Sequence, residues 1–271
     1  MELKALLAQP LVLPSIPKVI ALLLGELQHE APDLRVLSQL IGTDLALTTR
    51  LLQAANAPFF KLAGKVHSVA EALAVLGLPH IRAMATDAAS AASLKSVPGM
   101  VLPPFWVYSL DVAKLARSLA GVVRQNQGAA YTAGLLHALG ELPLHLTLPE
   151  RMAQMDAIVP LLDLRRARHQ MRELGYSYAQ VSAGYVQAWR FPQSIVDALA
   201  HQAAPFAQDV YEPLAGVIHL ATWRVRARTA QLNERALAVT FPGEVGEVLG
   251  LDIDMVLQQT PFDWQAVKGR P

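Results

Sequence analysis

The chain of 271 residues is 53% hydrophobic and 17% charged, with a mean hydropathy of +0.30, so it holds enough apolar side chains for a large core and intrinsic disorder is excluded. Its 23 Lys and Arg against 22 Asp and Glu leave a net charge of +1, which argues against a global electrostatic attraction to nucleic acid or acidic lipid. There is no cysteine, which removes disulfide, thiolate-metal and cysteine-nucleophile chemistry. Apolar runs such as that at positions 19–24 fall far short of the ~18 residues that span a bilayer. The opening stretch MELKALLAQPLVLP lacks the features of a secretory signal, and the expectation is a soluble, cytoplasmic protein without membrane insertion.

In chain order, apolar spacing predicts a helix over residues 16–28, after Pro14, and a second over 33–41. Asp44 is a good N-cap for a third, on which Leu47, Leu51 and Ala55 repeat at four-residue intervals and Asn56 reads as a C-terminal cap. Ser68-Val69-Ala70-Glu71 reads as a capping box opening a helix that Gly77 closes, with a further helix over 79–94. The breaker-rich stretch 97–104 is the expected internal boundary, since it holds Pro98, Gly99, Pro103 and Pro104.

From Phe105, the series Tyr108, Val112, Leu115, Leu119 and Val122 keeps one helical face apolar. Helices are then predicted over 129–139, 160–174, 178–189, 193–201 and 212–230. Residues 223–228 alternate like a strand, but Leu214, Val217, Ile218, Ala221 and Val225 carry a helical stripe through them, so helix is preferred. Beyond Asn233, Phe241-Pro242-Gly243 interrupts the chain and Ile253, Val256 and Leu257 suggest a last short helix. The expected fold is all-α. Two helical lobes, 1–103 and 104–232, pack together with a C-terminal extension, 233–271, against them.

Among the eight histidines none sits in a local metal motif, and no glycine-rich phosphate loop or G-x-S-x-G elbow is present. Arg165, Arg168 and Arg172 share a helix face at i, i+3 and i+7, with Arg166 and His169 beside them. That face is a candidate interaction surface, set against the ordinary reading of a solvated charge stripe. Arg224 and Arg228 form a smaller stripe. Tyr131, Tyr176 and Tyr178 are not interleaved with basic residues and read as packing or surface tyrosines.

Several ordered motifs resemble one family. Leu13-Pro14-Ser15-Ile16-Pro17 looks like its opening proline motif, and Asp44-Leu45-Ala46-Leu47-Thr48-Thr49-Arg50-Leu51-Leu52-Gln53-Ala54-Ala55-Asn56 like its D-x-A-L-x-x-R-L-L-x-x-A-N helix. Residues 66–78 are similar to its S-x-x-x-A-x-x-x-L-G element. Phe105-Trp106 followed by Ser109, the segment around His137, Trp189-Arg190-Phe191-Pro192 and Ile218-His219-Leu220-Ala221 continue the series in order. Over residues 10 to 230 the chain thereby resembles the HDOD domain family, regulatory relatives of the HD phosphohydrolases.

The resemblance implies an all-helical bacterial signalling module whose C-terminal lobe is HD-like. It also implies where HD metal ligands would stand. Tyr108 occupies the first histidine position, Ala138 that of the aspartate after His137, and Thr222 that of the distal aspartate, while Tyr178 replaces a histidine of HD-GYP relatives. Only His137 and His201 remain, so the vestigial pocket is expected to comprise Tyr108, His137, Ala138, His201 and Thr222 and to hold no cofactor or metal. The expected function is non-enzymatic signalling through a protein partner. The rivals are a phosphohydrolase or cyclic-nucleotide phosphodiesterase with substitute ligands among His145, His169, His201 and His219, and a nucleotide or nucleic-acid sensor using the arginine faces.

Overall fold

Short polar side chains set many of the helix starts. Asp33, Asp44, Asn126, Asn233 and Asp252 each accept a hydrogen bond from a backbone N–H two or three residues on, satisfying donors that a helix leaves unpaired at its first turn. In a computed structural model that describes residues 1–62, 64–90, 96–207 and 210–259, the result is an all-α chain. The N-terminal elements are α1 (Leu3–Leu7), α2 (Pro17–Leu27), α3 (Leu34–Gly42), α4 (Leu45–Ala55) and α5 (Val69–Ser90). The central ones are α6 (Leu102–Val122), α7 (Gln127–Leu136), α8 (Glu141–Thr147), α9 (Pro149–Ile158) and α10 (Arg166–Leu174). They are followed by α11 (Tyr178–Ala188), α12 (Gln193–His201), α13 (Pro213–Thr229), α14 (Glu234–Thr240), α15 (Gly243–Leu249) and α16 (Ile253–Gln258). An isolated Val97–Met100 bridge is the sole extended pairing among the described residues.

Residues 223–228 are helical within α13, as the stripe predicts. Gly77 breaks α5, with φ 72° and ψ 165°, a conformation open essentially to glycine alone, and Pro79 then opens the second piece. The last residues of the predicted 79–94 helix, 91–94, lie outside the described residues, as does the extension beyond 259.

Other boundaries differ from expectation. The helix predicted over 160–174 starts only at Arg166, because the Asp163 carboxylate accepts from the backbone N–H of Arg165 at 2.8 Å and holds a turn in place of helix. The helix predicted over 129–139 ends at Leu136, and α8 and α9 fill a stretch in which no helix was expected. Pro103 and Pro104 begin a helix instead of interrupting one. They sit in the first turn of α6, where their missing N–H groups cost nothing.

Helices α2 to α5 pack on one another, and α6, α7, α11, α12 and α13 form a second group, with α4 against α7 at the junction. The junction is also hydrogen-bonded: the Tyr131 hydroxyl donates to Gly42 O at 2.9 Å and Thr132 Oγ1 to His67 O at 2.7 Å. One continuous apolar core runs from Leu6 to Val256. Helix α1 is seated on α8 and α11 of the second group, where the Tyr185 hydroxyl donates to Leu6 O at 3.0 Å. Helices α15 and α16 cover α13.

Asn56, the expected cap, is fully buried and does more than end α4. Its Nδ2 donates to Leu52 O and Val66 O, both at 3.0 Å, and its Oδ1 accepts from Lys65 N and Val66 N, so one amide pins the 65–66 loop. Asp44, also fully buried, accepts from Leu47 N in its own helix and from Ile16 N ahead of α2. Burial raises its pKa to about 6, against the opposing effect of those backbone donors.

A carboxyl group whose pKa is higher folded than unfolded binds more protons in the native state between the two values. Its contribution to stability is therefore greatest below pH ~4 and is lost as pH rises toward 6. Relative to Asp44→Asn, the wild type should lose up to about 3 kcal/mol between pH 4 and 6, at ~1.4 kcal/mol per unit, and no more above that window. Paired urea unfolding curves across pH 4 to 8 check this, and a stability difference that grows in favour of the wild type with rising pH would contradict it.

Candidate functional site

The second helical group brings His137, Tyr108, Tyr178 and Arg226 together. His137 sits in the tight turn between α7 and α8, a turn shaped by Gly140, where an added Cβ would lie 2.2 Å from Tyr178 O. Its ring is fully buried and meets the Tyr108 ring edge-on, centroids 4.8 Å apart. Nδ1 donates to Gly134 O at 2.8 Å, which leaves Nε2 as the acceptor, and that nitrogen is buried with no partner. Burial lowers the His137 pKa to about 3, and the positive charge of Arg226 adds to the effect.

Arg226, on α13, is the residue that organises this region and that the sequence reading passed over. It is buried, with 7% of its surface exposed. Its Nε donates to the Tyr108 hydroxyl at 2.9 Å, one terminal nitrogen to Asp163 O at 3.1 Å and the other to the Tyr178 hydroxyl at 3.3 Å. The signal for it was present: Ile218, Thr222 and Arg226 recur at four-residue spacing on the buried side of α13. Tyr178, expected as a packing or surface residue, is buried and serves as an acceptor for this guanidinium.

The other expected pocket residues divide. Thr222 is buried beside Arg226, His219, Tyr178 and Gln202 in a cleft of about 220 Å³, and its Oγ1 has no hydrogen-bond partner. Ala138 is buried in the core and does not line that cleft. His201 stands half-buried at the end of α12, also outside the lining. The next residue, Gln202, enters in its place: Nε2 donates to His137 O at 2.9 Å, and its own carbonyl accepts from His219 Nδ1 at 2.7 Å. Burial, with the Arg226 charge adding to it, lowers the pKa of His219.

A divalent metal needs several converging nitrogen and oxygen donors. Around His137 and the cleft beside it the candidate donors are the imidazoles of His137 and His219, the Thr222 hydroxyl and two tyrosine hydroxyls already engaged by a cation, with no carboxylate among them, and that cation repels a second one. No cluster of three or more His, Asp or Glu able to hold an ion occurs among the described residues. These residues do not fit a metal centre.

Of the candidate arginine face, Arg165, Arg168 and Arg172 are all exposed on or next to α10. Arg165 forms a two-pronged pair with Asp163, and Arg172 bonds His169 Nδ1 and Glu173. Arg166 turns inward. It is fully buried, bonded through two nitrogens to Glu141 at 3.1 and 3.0 Å, and paired with Asp156 at 2.7 Å. His145 completes this buried cluster, with Nε2 3.0 Å from Asp156.

Because His137 stays neutral in the folded chain until far below its unfolded pKa, the unfolded state binds the extra proton first and stability falls as pH drops from about 6.5 toward 3. His137→Leu should remove that slope. At pH 7 it should cost only about 0–2 kcal/mol, since a ring contact and one hydrogen bond are lost while an unpartnered nitrogen is relieved. Denaturant titrations of both proteins at several pH values read this out, and an unchanged acid dependence in the variant would refute it.

A comparison with family-wide sequence models matches an HDOD domain over residues 13–205. An uncharacterised protein of Treponema pallidum (strain Nichols) is 24% identical over 224 residues, covering 79% of this chain; the chain spans 42% of the length of that relative. Among solved structures, a fragment of the MmoQ response regulator from Methylococcus capsulatus is similar with a TM-score of 0.71 and 25% identity, covering 93% of this chain and 98% of that one. An HDOD domain protein from Geobacter sulfurreducens shares the fold with a TM-score of 0.54 and 20% identity, covering 94% and 91%. With most of its length matched and the motif series in order, this chain belongs to the HDOD domain family.

Proposed function

We propose that the chain is a cytoplasmic signalling module that does not catalyse phosphoester hydrolysis and acts by binding a protein partner. One observation carries the reading: where the HD resemblance leads one to expect a metal, a buried guanidinium is held by the hydroxyls of Tyr108 and Tyr178. A cation built into the protein at this place supports the reading, because it disfavours a second cation with an open coordination position for an activated water. The similarity to a response regulator supports the signalling half of the reading. No helix among the described residues is long and apolar enough to cross a membrane, in keeping with action in the cytoplasm. A module without turnover changes its partner only through contacts that differ between states.

The reading predicts that protein purified without chelator carries divalent metal well below stoichiometric amounts and does not hydrolyse cyclic dinucleotides or model phosphodiesters, with or without added Mn or Mg. Elemental analysis and product chromatography check it. Stoichiometric metal together with turnover abolished by His137→Ala would establish the phosphohydrolase alternative.

For the partner surface, the exposed Arg165, Arg168 and Arg172 are the proposed contact, their guanidinium groups suited to carboxylates. Reversing all three to Glu should leave the helical spectrum and melting temperature nearly unchanged, because exposed charges contribute little. Capture of the partner should weaken, and wild-type capture should decline with rising salt. Equal capture by the triple variant in pull-downs would move the contact elsewhere.

A further inference from the structure

The cleft beside Arg226 lies between α10, α12 and α13 and is closed on one side by Thr240 and Pro242 of the C-terminal extension. Most of its polar lining therefore comes from residues beyond position 205, where the family match ends. Three features of that lining are unbalanced. The first is charge. Arg226 is buried, yet its three hydrogen-bond acceptors are two hydroxyls and a backbone carbonyl, and it has no ion-pair partner among the described residues. The nearby Asp163 carboxylate is taken by Arg165. A desolvated cation without a counter-charge costs several kcal/mol, and a guanidinium has about five N–H donors, more than the three used here.

The second feature is Thr222, which lines the cleft and whose hydroxyl is buried without any partner. The third is Tyr178, whose oxygen accepts from Arg226, so its own proton is free to be donated into the cleft. Apart from His219, whose Nδ1 bond to Gln202 O leaves Nε2 as an acceptor, these unmet needs can be met by an acceptor, and the unmet charge is positive. At about 220 Å³ the cleft is smaller than the ~300–1,000 Å³ of sites for drug-sized molecules, so what fills it is small.

We propose that this cleft is a binding site for a small oxyanion, with the spare N–H groups of Arg226 and the hydroxyls of Thr222 and Tyr178 as its donors. Such a ligand neutralises the buried guanidinium and satisfies the orphaned hydroxyl at once. It also touches the wall formed by Thr240, whose Oγ1 accepts from Trp223 Nε1 at 3.2 Å, so occupancy stabilises the seating of the extension on α13. The site does not depend on the non-catalytic reading: turnover of a phosphoester would overturn that reading and leave the binding site in place.

The test is the melting temperature of the full chain titrated with inorganic phosphate, against sodium chloride at matched ionic strength, with acetate as a parallel arm. Saturable stabilisation is expected, following the one-site dependence of stability on ligand concentration, whereas a nonspecific kosmotropic effect rises without saturating. The phosphate and acetate arms separate a site for a tetrahedral dianion from one for a planar carboxylate. Arg226→Met also strips Tyr108 and Tyr178 of their donor, so the decisive variant is Thr222→Val, which replaces an unsatisfied hydroxyl by a methyl of the same shape.

Without added anion, Thr222→Val should melt at or above the wild-type temperature. Its apparent affinity for the anion should drop about tenfold, the equivalent of ~1.4 kcal/mol. If neither anion stabilises the wild type saturably, or if the variant responds as the wild type does, the site is refuted.

Discussion

The two-pronged bond between Arg166 and Glu141 is the interaction on which the second half of the molecule rests. Both partners are almost completely shielded from solvent, and the pair joins the start of α8 to α10. Gln170 adds a donor to the same carboxylate at 2.9 Å and accepts from Tyr178 N at 2.7 Å, so the entry to α11 is fixed by the same cluster. A buried ion pair gains little net stability over an apolar equivalent, but removing one partner leaves a stranded charge, which makes the arrangement all-or-none.

This pairing decides what remains for Arg226. Glu141 is committed to Arg166, and Asp163 to Arg165, although each lies near the cluster built by Tyr108 and Arg226. The third arginine is left with hydroxyls and a carbonyl. The same fact underlies both the mismatch with a metal centre and the affinity for an anion. A fixed positive charge in a dry site repels cations and attracts small anions.

The fold was readable in sequence wherever one helix face had to be apolar throughout. The stripes on α6 and α13 are long, and a strand reading of residues 223–228 fails against a stripe that continues on both sides. Asp44 and Asn56 were legible as caps because capping is local chemistry. What the periodicity missed were short elements, α1, α8, α9, α14 and α15, with α8 lying in a segment buried on nearly all sides that offers no polar face to mark its period. The late start of α10 escaped because Asp163 competes through its side chain for the backbone N–H of Arg165.

For the site, the sequence alone determined the chemical inventory: no thiols, a balanced net charge, and the identities of Tyr108, Ala138 and Thr222, which the family resemblance aligns with HD ligand positions. Those are properties of residue identity and order. Which arginine points inward, and which polar groups meet around His137, only the tertiary structure decided. Arg166 and Arg168 are two positions apart on one helix and look alike in the sequence, yet one is sealed against Glu141 and the other faces water. Gln202 and Arg226, 24 residues apart in the chain, meet at one cleft only because α12 and α13 pack together. Burial and pairing are set by contacts between distant segments, and no local pattern encodes the partner that a charge will find.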